Sequence, residues 1–396
     1  MTPIRKFEKP LGMRDSFPLI NEKKEKVRDI GRQFFQSRGF DFIKTPTVEY
    51  YETIGKASAI PDSALFKLVD RQGETLVLRP DMTTPIVRVA TSKLLKEQIP
   101  LRLAYFANVF RAQEHEGGRP AEFEQMGVEL IGDASVYADA EMIITASEFV
   151  QKLGINDYRL TVGHAGLLQS ILIQLTQSKE QVRELLKLLV EKNLVGFEEA
   201  VKTYKLSKED ENRFIEFIGQ ASNVQSIQQL RPFIDETNHT QVNMFSYLSN
   251  LSALLENAGL SNMVTYDLTL TSEMSYYTGM LFEVFASGSG FAIGNGGRYD
   301  GLLQEFNSDV GATGFGLRVD RLLEVMTTST KRESRTLIFF DEANYMKAVK
   351  DAKILRNEGV QTTIQFLKSV EDQQAFQMNF TDVVWLIEGD ANNEYE

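Results

Sequence analysis

The sequence contains no cysteine, which excludes disulfides and thiolate metal sites. Its only imidazoles are His115, His164 and His239, too scattered for the ligand spacing of a zinc site, so neither a metal nor a cofactor is expected. No apolar run approaches the ~18 residues that a membrane-spanning helix requires. Met1-Thr2-Pro3-Ile4-Arg5-Lys6 has no apolar segment behind it of the kind a secretion signal carries. A cytoplasmic protein without membrane attachment is expected. Basic charge is also short: 43 Lys and Arg face 55 Asp and Glu, a formal net charge of -12. That balance opposes broad attraction to nucleic acid or anionic lipid. What remains is a soluble globular chain of 396 residues, 42% hydrophobic, long enough for two or three domains.

The run from Phe110 to Gly132 reads as strand, long polar loop, strand. Leu101, Leu103, Tyr105 and Val109 lead into it, and beyond the loop Phe123, Gln125, Gly127, Glu129 and Ile131 fall on one face by period two. An aromatic, an amide and a carboxylate on one strand face are out of place over an apolar core, because an unpaired buried carboxylate costs several kcal/mol, as a rough figure. Either a polar ligand or partner sits above that face, or the strand has one solvated side.

Around this stretch the pattern is mixed. Ile20, Val27, Ile30, Phe34 and Phe35 have helical spacing and Gly39 is placed to end the helix. Residues 40–46 alternate as a strand that Pro46 confines to an end or an edge. Residues 66–69 and 75–78 form a hairpin about Arg71-Gln72-Gly73. Thr84 as N-cap with Pro85 at the first helical position starts the next helix, which puts Asp81 and Thr83 at a strand-to-helix turn, where they either cap the helix or point into a cleft. A packing helix runs through Ala140, Ile143 and Val150 to Gly154, and Tyr158, Leu160 and Val162 make a short strand. Residues 166–258 read as a helical insertion. Val264 to Leu270 alternates most strictly of all and, with 280–285 and 291–294, predicts an antiparallel meander. Gly294 to Gly301 is glycine-rich without matching a nucleotide fingerprint; its glycines let a ligand or another strand approach the backbone. A second glycine-rich strand, Gly311 to Leu317, precedes a helix whose Arg318 or Arg321 can face the same cleft. A polar linker, 327–334, leads to a small α/β unit at 335–396.

Taken together these motifs resemble the catalytic core of the class II histidyl-tRNA synthetases, over roughly residues 5 to 327. Arg111 through Gln125 resembles the class II motif 2, Gly314-Phe315-Gly316 with Arg321 resembles motif 3, and Pro46 corresponds to the motif 1 proline at the family's dimer interface. Gly296-Gly297-Arg298-Tyr299-Asp300-Gly301 matches a histidine-specific element in full. The resemblance implies an α+β fold: an antiparallel sheet flanked by helices in a core spanning 1–327, with the insertion at 166–258 and the α/β domain at 335–396. It implies a histidine pocket in which Asp81, Thr83 and Gln125 meet the ammonium. Glu129 and the Tyr276-Tyr277 pair would meet the imidazole, and Arg111 would face the carboxylate or a phosphate. Such charge-assisted contacts are stronger than neutral ones.

The departures from that family fall on one side of the cleft. Leu270-Thr271-Ser272-Glu273-Met274-Ser275-Tyr276-Tyr277 stands where the family reads Leu-Val-Arg-Gly-Leu-Asp-Tyr-Tyr, so the catalytic arginine is Ser272. Loss of one such charge-stabilising group costs roughly 10²–10³ in rate. Gln113 replaces a motif 2 glutamate, Ala121 replaces an arginine, and Asp81 stands for the family's glutamate. Phe123 and Arg321 of the nucleotide side survive. Only 66 residues follow Thr330, with 8 Lys and Arg against 12 Asp and Glu, short for an anticodon-binding domain of on the order of 100 residues and poorly charged for gripping tRNA. In this the chain resembles the synthetase paralogues that serve as regulatory subunits of ATP phosphoribosyltransferase. That resemblance implies no catalysis of its own and no tRNA. It also implies a dimer of this chain in a mixed complex with the short-form catalytic subunit, and histidine as feedback effector. The alternatives are an active histidine-tRNA ligase, or a binding paralogue that has drifted to another amino acid.

Overall fold

The computed structural model describes residues 7–112, 120–204, 206–271, 276–326 and 335–388. The chain divides into two compact units, Met1–Thr327 and Thr328–Glu396.

The first unit opens with helix α1 (Pro18–Gln36), which buries Val27, Phe34 and Phe35. The chain leaves it through Gly39 at φ +74, a left-handed conformation that glycine adopts without a Cβ penalty. Strands β1 (Asp41–Phe42) and β2 (Val48–Tyr50) lie on either side of Pro46. Strands β3 (Lys67–Val69) and β4 (Thr75–Leu78) form the expected hairpin. With β2 it makes a three-stranded antiparallel sheet, in the order β2-β4-β3.

Helix α2 (Thr83–Ser92) starts two residues earlier than the sequence predicts. Its N-cap is Met82, which makes no side-chain cap bond, and Thr84 lies inside the first turn. The free amide of Thr84 is instead satisfied by Asp81, whose Oδ1 accepts it at 2.8 Å, so the capping side chain belongs to the residue before the N-cap.

Strands β5 (Leu101–Phe110) and β6 (Glu122–Ile131) pair antiparallel along their full length. Helix α3 (Val136–Lys152) and strand β7 (Tyr158–His164) follow. Helices α4 (Ala165–Thr176), α5 (Lys179–Val190), α6 (Leu194–Thr203), α7 (Lys208–Gln220) and α8 (His239–Asn257) fill the stretch that the sequence reads as helical. His164, Ser178, Asn193, Ser207 and Asn238 cap them through side-chain acceptors. His164, to which the sequence assigned no role, is buried. Its Nδ1 accepts the Leu167 amide at 3.1 Å, and burial pushes its pKa down to about 4, so near neutrality it serves as an uncharged cap.

The strictest alternation in the sequence gives only a three-residue strand, β8 (Val264–Tyr266). Asp267 ends it: its Oδ1 accepts both the amide and the hydroxyl of Thr269, at 2.8 and 2.6 Å, a local turn that competes with the ladder. The predicted meander is also corrected. Strand β9 (Met280–Ala286) pairs with β7, and β8 lies parallel to the outer side of β7. Strand β10 (Gly294–Arg298) runs through the glycine-rich motif itself, beginning where the predicted strand ended. Helix α9 (Asp300–Glu305), strand β11 (Ala312–Arg318) and helix α10 (Val319–Val325) complete the unit.

The main sheet has the order β1-β5-β6-β11-β10-β9-β7-β8. It is mixed, with β1/β5 and β7/β8 parallel and the strands between them antiparallel. Met126, Val128 and Leu130 of β6 enter one apolar core with Phe34, Phe35 and Phe149 of α1 and α3. Phe123 and Ile131, on the other face, pack with Met82, the N-cap of α2, with Ile86 and Val87 of that helix and with Leu302 and Leu303 of α9. The period-two reading of β6 is therefore realised, and its polar residues lie on the second face.

In the second unit, β12 (Arg335–Phe340) is the middle of a parallel sheet, with helix α11 (Tyr345–Asn357), strand β13 (Gln361–Phe366), the short helix α12 (Gln373–Gln377) and strand β14 (Asp382–Leu386). Leu337, Ile338 and Phe339 are buried in succession, as a strand covered on both faces requires. The linker predicted at 327–334 lies outside the described residues.

Candidate functional site

On the second face of the sheet, β6 carries Gln125 and Glu129 beneath the N-terminus of α2. Both are buried, and Glu129 is only 1% exposed. The alternative of a solvated strand face is thereby excluded. Room for these side chains comes from the neighbouring strand. A Cβ on Gly314 would sit 1.9 Å from Glu129 Oε2, and one on Gly316 would sit 2.1 Å from Gln125 Nε2. The glycines of β11 are needed where the polar side chains of β6 fold over its backbone.

Glu129 is held by two hydroxyls. Thr83 Oγ1 donates to its Oε1 at 2.9 Å and Tyr299 Oη donates to its Oε2 at 2.6 Å. Burial nonetheless pushes its pKa up to about 8, the two hydrogen bonds oppose the rise, and the nearby Asp81 adds to it. Near neutral pH the pocket therefore favours a protonated Glu129 unless a positive or hydrogen-donating group arrives. Asp81 itself accepts the Thr84 amide and, at 2.9 Å, the Ser58 hydroxyl. Capping and cleft-lining, which the sequence set as alternatives for Asp81, coexist in one side chain. Gln125 Oε1 is buried without a hydrogen-bond partner among the described residues.

The wall opposite is aromatic. Tyr276 and Tyr277 meet edge to face at 5.1 Å, and Tyr276 meets Tyr299 at 6.0 Å. Burial raises the hydroxyls of Tyr105, Tyr276 and Tyr299 well above their usual range, so all three stay neutral donors. The cavity enclosed by these residues is small, about 10 Å³, room for roughly one water. A larger ligand must push side chains apart to enter.

Of the residues predicted for the pocket, Asp81, Thr83, Gln125, Glu129, Tyr276 and Tyr277 line this cavity. Arg111 stands outside the lining: its Nε donates to Pro80 O at 3.0 Å and its guanidinium lies 5.5 Å from the Phe123 ring. Its charge still reaches inward, lowering the Tyr105 and Tyr277 hydroxyls against the effect of burial. Tyr105, Asn295 and Tyr299 also line the cavity and were not predicted. Tyr299 was findable, because it directly follows Arg298 in the glycine-rich signature and a strand sends successive residues to opposite faces.

Arg298 accordingly turns to the first face. Its Nε contacts Asp139 Oδ2 of α3 at 2.9 Å, and its Nη1 contacts Asp300 at 3.3 Å. Asp139 also accepts from Tyr247 of α8.

The nucleotide side looks different. Ala121 is fully buried, and a Cβ on Gly12 would lie 2.6 Å from its own, so the N-terminal segment closes the place where the resemblance would put an arginine. The Phe123 ring is covered by Arg318 at 3.7 Å, and Arg318 is tied to Asp320 at 2.9 Å. Arg321 donates to Ala292 O and lies 5.1 Å from the Phe291 ring. Gln113, His115, Ser272 and Glu273 lie outside the described residues. Among the described residues no group of three or more His, Asp or Glu could hold a metal ion, and no helix is long and apolar enough to cross a membrane.

Comparison with known proteins places this geometry. The histidyl-tRNA synthetase family model matches residues 12–322, and the model for the C-terminal domain of histidyl-tRNA synthetase HisZ matches residues 337–388. The ATP phosphoribosyltransferase regulatory subunit of Lysinibacillus sphaericus is 56% identical over 379 residues, 96% of this chain and 97% of its own. That of Bacillus subtilis is 42% identical over 381 residues, with 96% and 97% covered. A Bacillus halodurans crystal structure, described as an ATP phosphoribosyltransferase regulatory subunit/histidyl-tRNA synthetase, superposes with a TM-score of 0.90 at 39% identity, covering 98% of this chain and 100% of that one. Histidyl-tRNA synthetase from Nostoc shares the fold, with a TM-score of 0.76 at 20% identity over 95% of this chain and 89% of its own. Sequence and fold agree: the chain belongs to the family of ATP phosphoribosyltransferase regulatory subunits, built on the histidyl-tRNA synthetase core.

Proposed function

We propose that this chain binds free histidine in the Glu129 cavity and conveys its presence, as feedback inhibition, to a short-form ATP phosphoribosyltransferase catalytic subunit in the cytoplasm. The observation that carries this reading is the pair of buried carboxylates, Asp81 and Glu129, among neutral tyrosines, with Glu129 raised to about 8. Two carboxyl groups so placed call for a ligand with two separate donor ends, an ammonium near Asp81 and Gln125 and a ring N–H that draws Glu129 into its ionised form. Histidine has both. Arg111, just outside, faces the carboxylate end. The closed surroundings of Ala121 and the covered ring of Phe123 favour binding without adenylation, and the excess of acidic residues in the second unit favours a role without tRNA.

The test is to mix the chain with a short-form ATP phosphoribosyltransferase and assay with and without histidine. Activity is expected to require the chain, and inhibition by histidine to require its Glu129 side chain. Identical activity and inhibition without the chain would refute the proposal.

The chain also acts as a dimer in this reading. The register of the small sheet aligns Val48, Leu78, Tyr50, Leu76 and Leu68 on one face, with Val48 42%, Tyr50 56% and Leu68 43% exposed. An apolar sheet face of this kind beside Pro46 is suited to a second copy. Tyr50→Glu with Leu68→Lys is expected to halve the mass in light scattering; an unchanged mass would place the interface elsewhere.

A further inference from the structure

A second cavity lies in the helical insertion, far in sequence from the β6 strand and built from different elements. It measures about 130 Å³ and is lined by Ile171 and Leu175 of α4, Arg213, Glu216 and Phe217 of α7, and Phe233 of the turn before α8, among others. Its floor is apolar and shaped. Ile171 and Phe217 are buried, and the rings of Phe217 and Phe233 meet edge to face at 5.6 Å. An apolar cavity of roughly this size elsewhere holds a benzene-sized guest.

The rim is charged with both signs. Arg213 and Glu216 are exposed and stand three residues apart on α7, so they project from neighbouring positions on one side of the helix. The frame behind them is fixed. Gln174 donates to Asp235 Oδ2 at 2.6 Å and accepts from Gln241 Nε2 at 2.6 Å, which uses both ends of its amide. Asp235 is held below the usual carboxylate range chiefly by the Thr237 hydroxyl and amide, with Gln174 and Arg213 contributing.

An apolar floor with a cation and an anion side by side at its mouth matches one ligand chemistry best. We propose that this cavity is a second small-molecule site, for an α-amino acid with a branched or aromatic side chain. The side chain enters between Leu175 and the Phe217–Phe233 pair, the carboxylate meets Arg213 and the ammonium meets Glu216. A simple carboxylic acid offers no cation to Glu216, and a simple amine offers no anion to Arg213, so the zwitterion is preferred to either.

Calorimetric titration of the full chain with L-phenylalanine and L-leucine tests this, with hydrocinnamate and phenethylamine as the analogues that each lack one charge. Binding of at least one amino acid is expected, with both analogues weaker. Arg213→Ala is expected to weaken binding by about tenfold or more, as for loss of one charge-assisted hydrogen bond. Leu175→Trp is expected to abolish it by filling the floor, and Glu129→Gln to leave it unchanged. Arg213 is exposed, so its variant tests the site even if Leu175→Trp does not fold. No binding of either amino acid at millimolar concentration would overturn the proposal. So would binding that survives Arg213→Ala unchanged, or binding that is lost in Glu129→Gln, which would place the ligand in the other cavity.

Discussion

Glu129→Gln is expected to weaken histidine binding by about 100-fold and, in the same protein, to raise the melting temperature at pH 8 to 9. Both effects come from one buried carboxyl. Its pKa rises from 4.5 to about 8 in the folded chain, so between those pH values the folded state holds a proton that the unfolded state has released. Stability therefore falls as pH rises through that window and has lost most of this contribution above about pH 8. At 1.36 kcal/mol per unit the full loss is on the order of 5 kcal/mol. Glutamine keeps the shape and, with its amide, offers Thr83 and Tyr299 one donor and one acceptor without ever ionising. The gain in melting temperature should be several degrees at alkaline pH and small near pH 5.

Ligand binding runs the other way. An imidazole N–H donates to the ionised carboxylate, so histidine binds the form of the pocket that is scarce below pH 8. Wild-type affinity is expected to fall up to about tenfold for each unit from pH 8 to pH 7 and below, with a proton released on binding. In Glu129→Gln this part of the dependence disappears. Calorimetry in buffers of different ionisation enthalpy reads the released proton directly. An unchanged affinity in the variant would move the histidine site elsewhere, whatever the stability does.

The second large effect concerns stability alone. Asp139→Ala is expected to destabilise the first unit by about 3–5 kcal/mol in urea denaturation, because it leaves the buried guanidinium of Arg298 with only the partly exposed Asp300, at 3.3 Å, as its ion-pair partner. Asp139 is fully buried and Arg298 is 6% exposed, and the pair joins β10 to α3 while Tyr247 ties in α8. Burial pushes the Asp139 carboxyl up, and Arg298 and Tyr247 oppose that. The double variant Asp139→Leu with Arg298→Met should cost less than Asp139→Ala alone, since no uncompensated charge is left inside. A single variant as stable as the wild type would show that water reaches the pair.

Much of this was legible in the chain. The alternation of β6 placed Gln125 and Glu129 on the face where the structure has them, and Gly39, Gly73 and Gly154 punctuate elements where their positive φ requires them. Other readings failed for identifiable reasons. Val264 to Leu270 alternates well enough for a full strand, but Asp267 draws Thr269 into a turn, and a short polar side chain bonding its own backbone is invisible to a hydrophobic pattern. The helix start at Thr83 rather than Pro85 follows from Asp81 reaching forward to cap, which depends on where β4 delivers the chain.

By itself the sequence determined which residues are polar on one face of β6, which strands are rich in glycine, and the family that those motifs resemble. Local periodicity and residue chemistry suffice for that, because they act over a few positions. Only the tertiary structure decided that the glycine-rich β11 lies beside the polar strand, that Tyr299 completes the pocket while its neighbour Arg298 anchors the opposite face, and that Arg111 stands outside. Those outcomes depend on strands and helices distant in sequence being packed together. The same packing removes water from Glu129, and its raised pKa is a property of the assembled fold that no stretch of the chain carries alone.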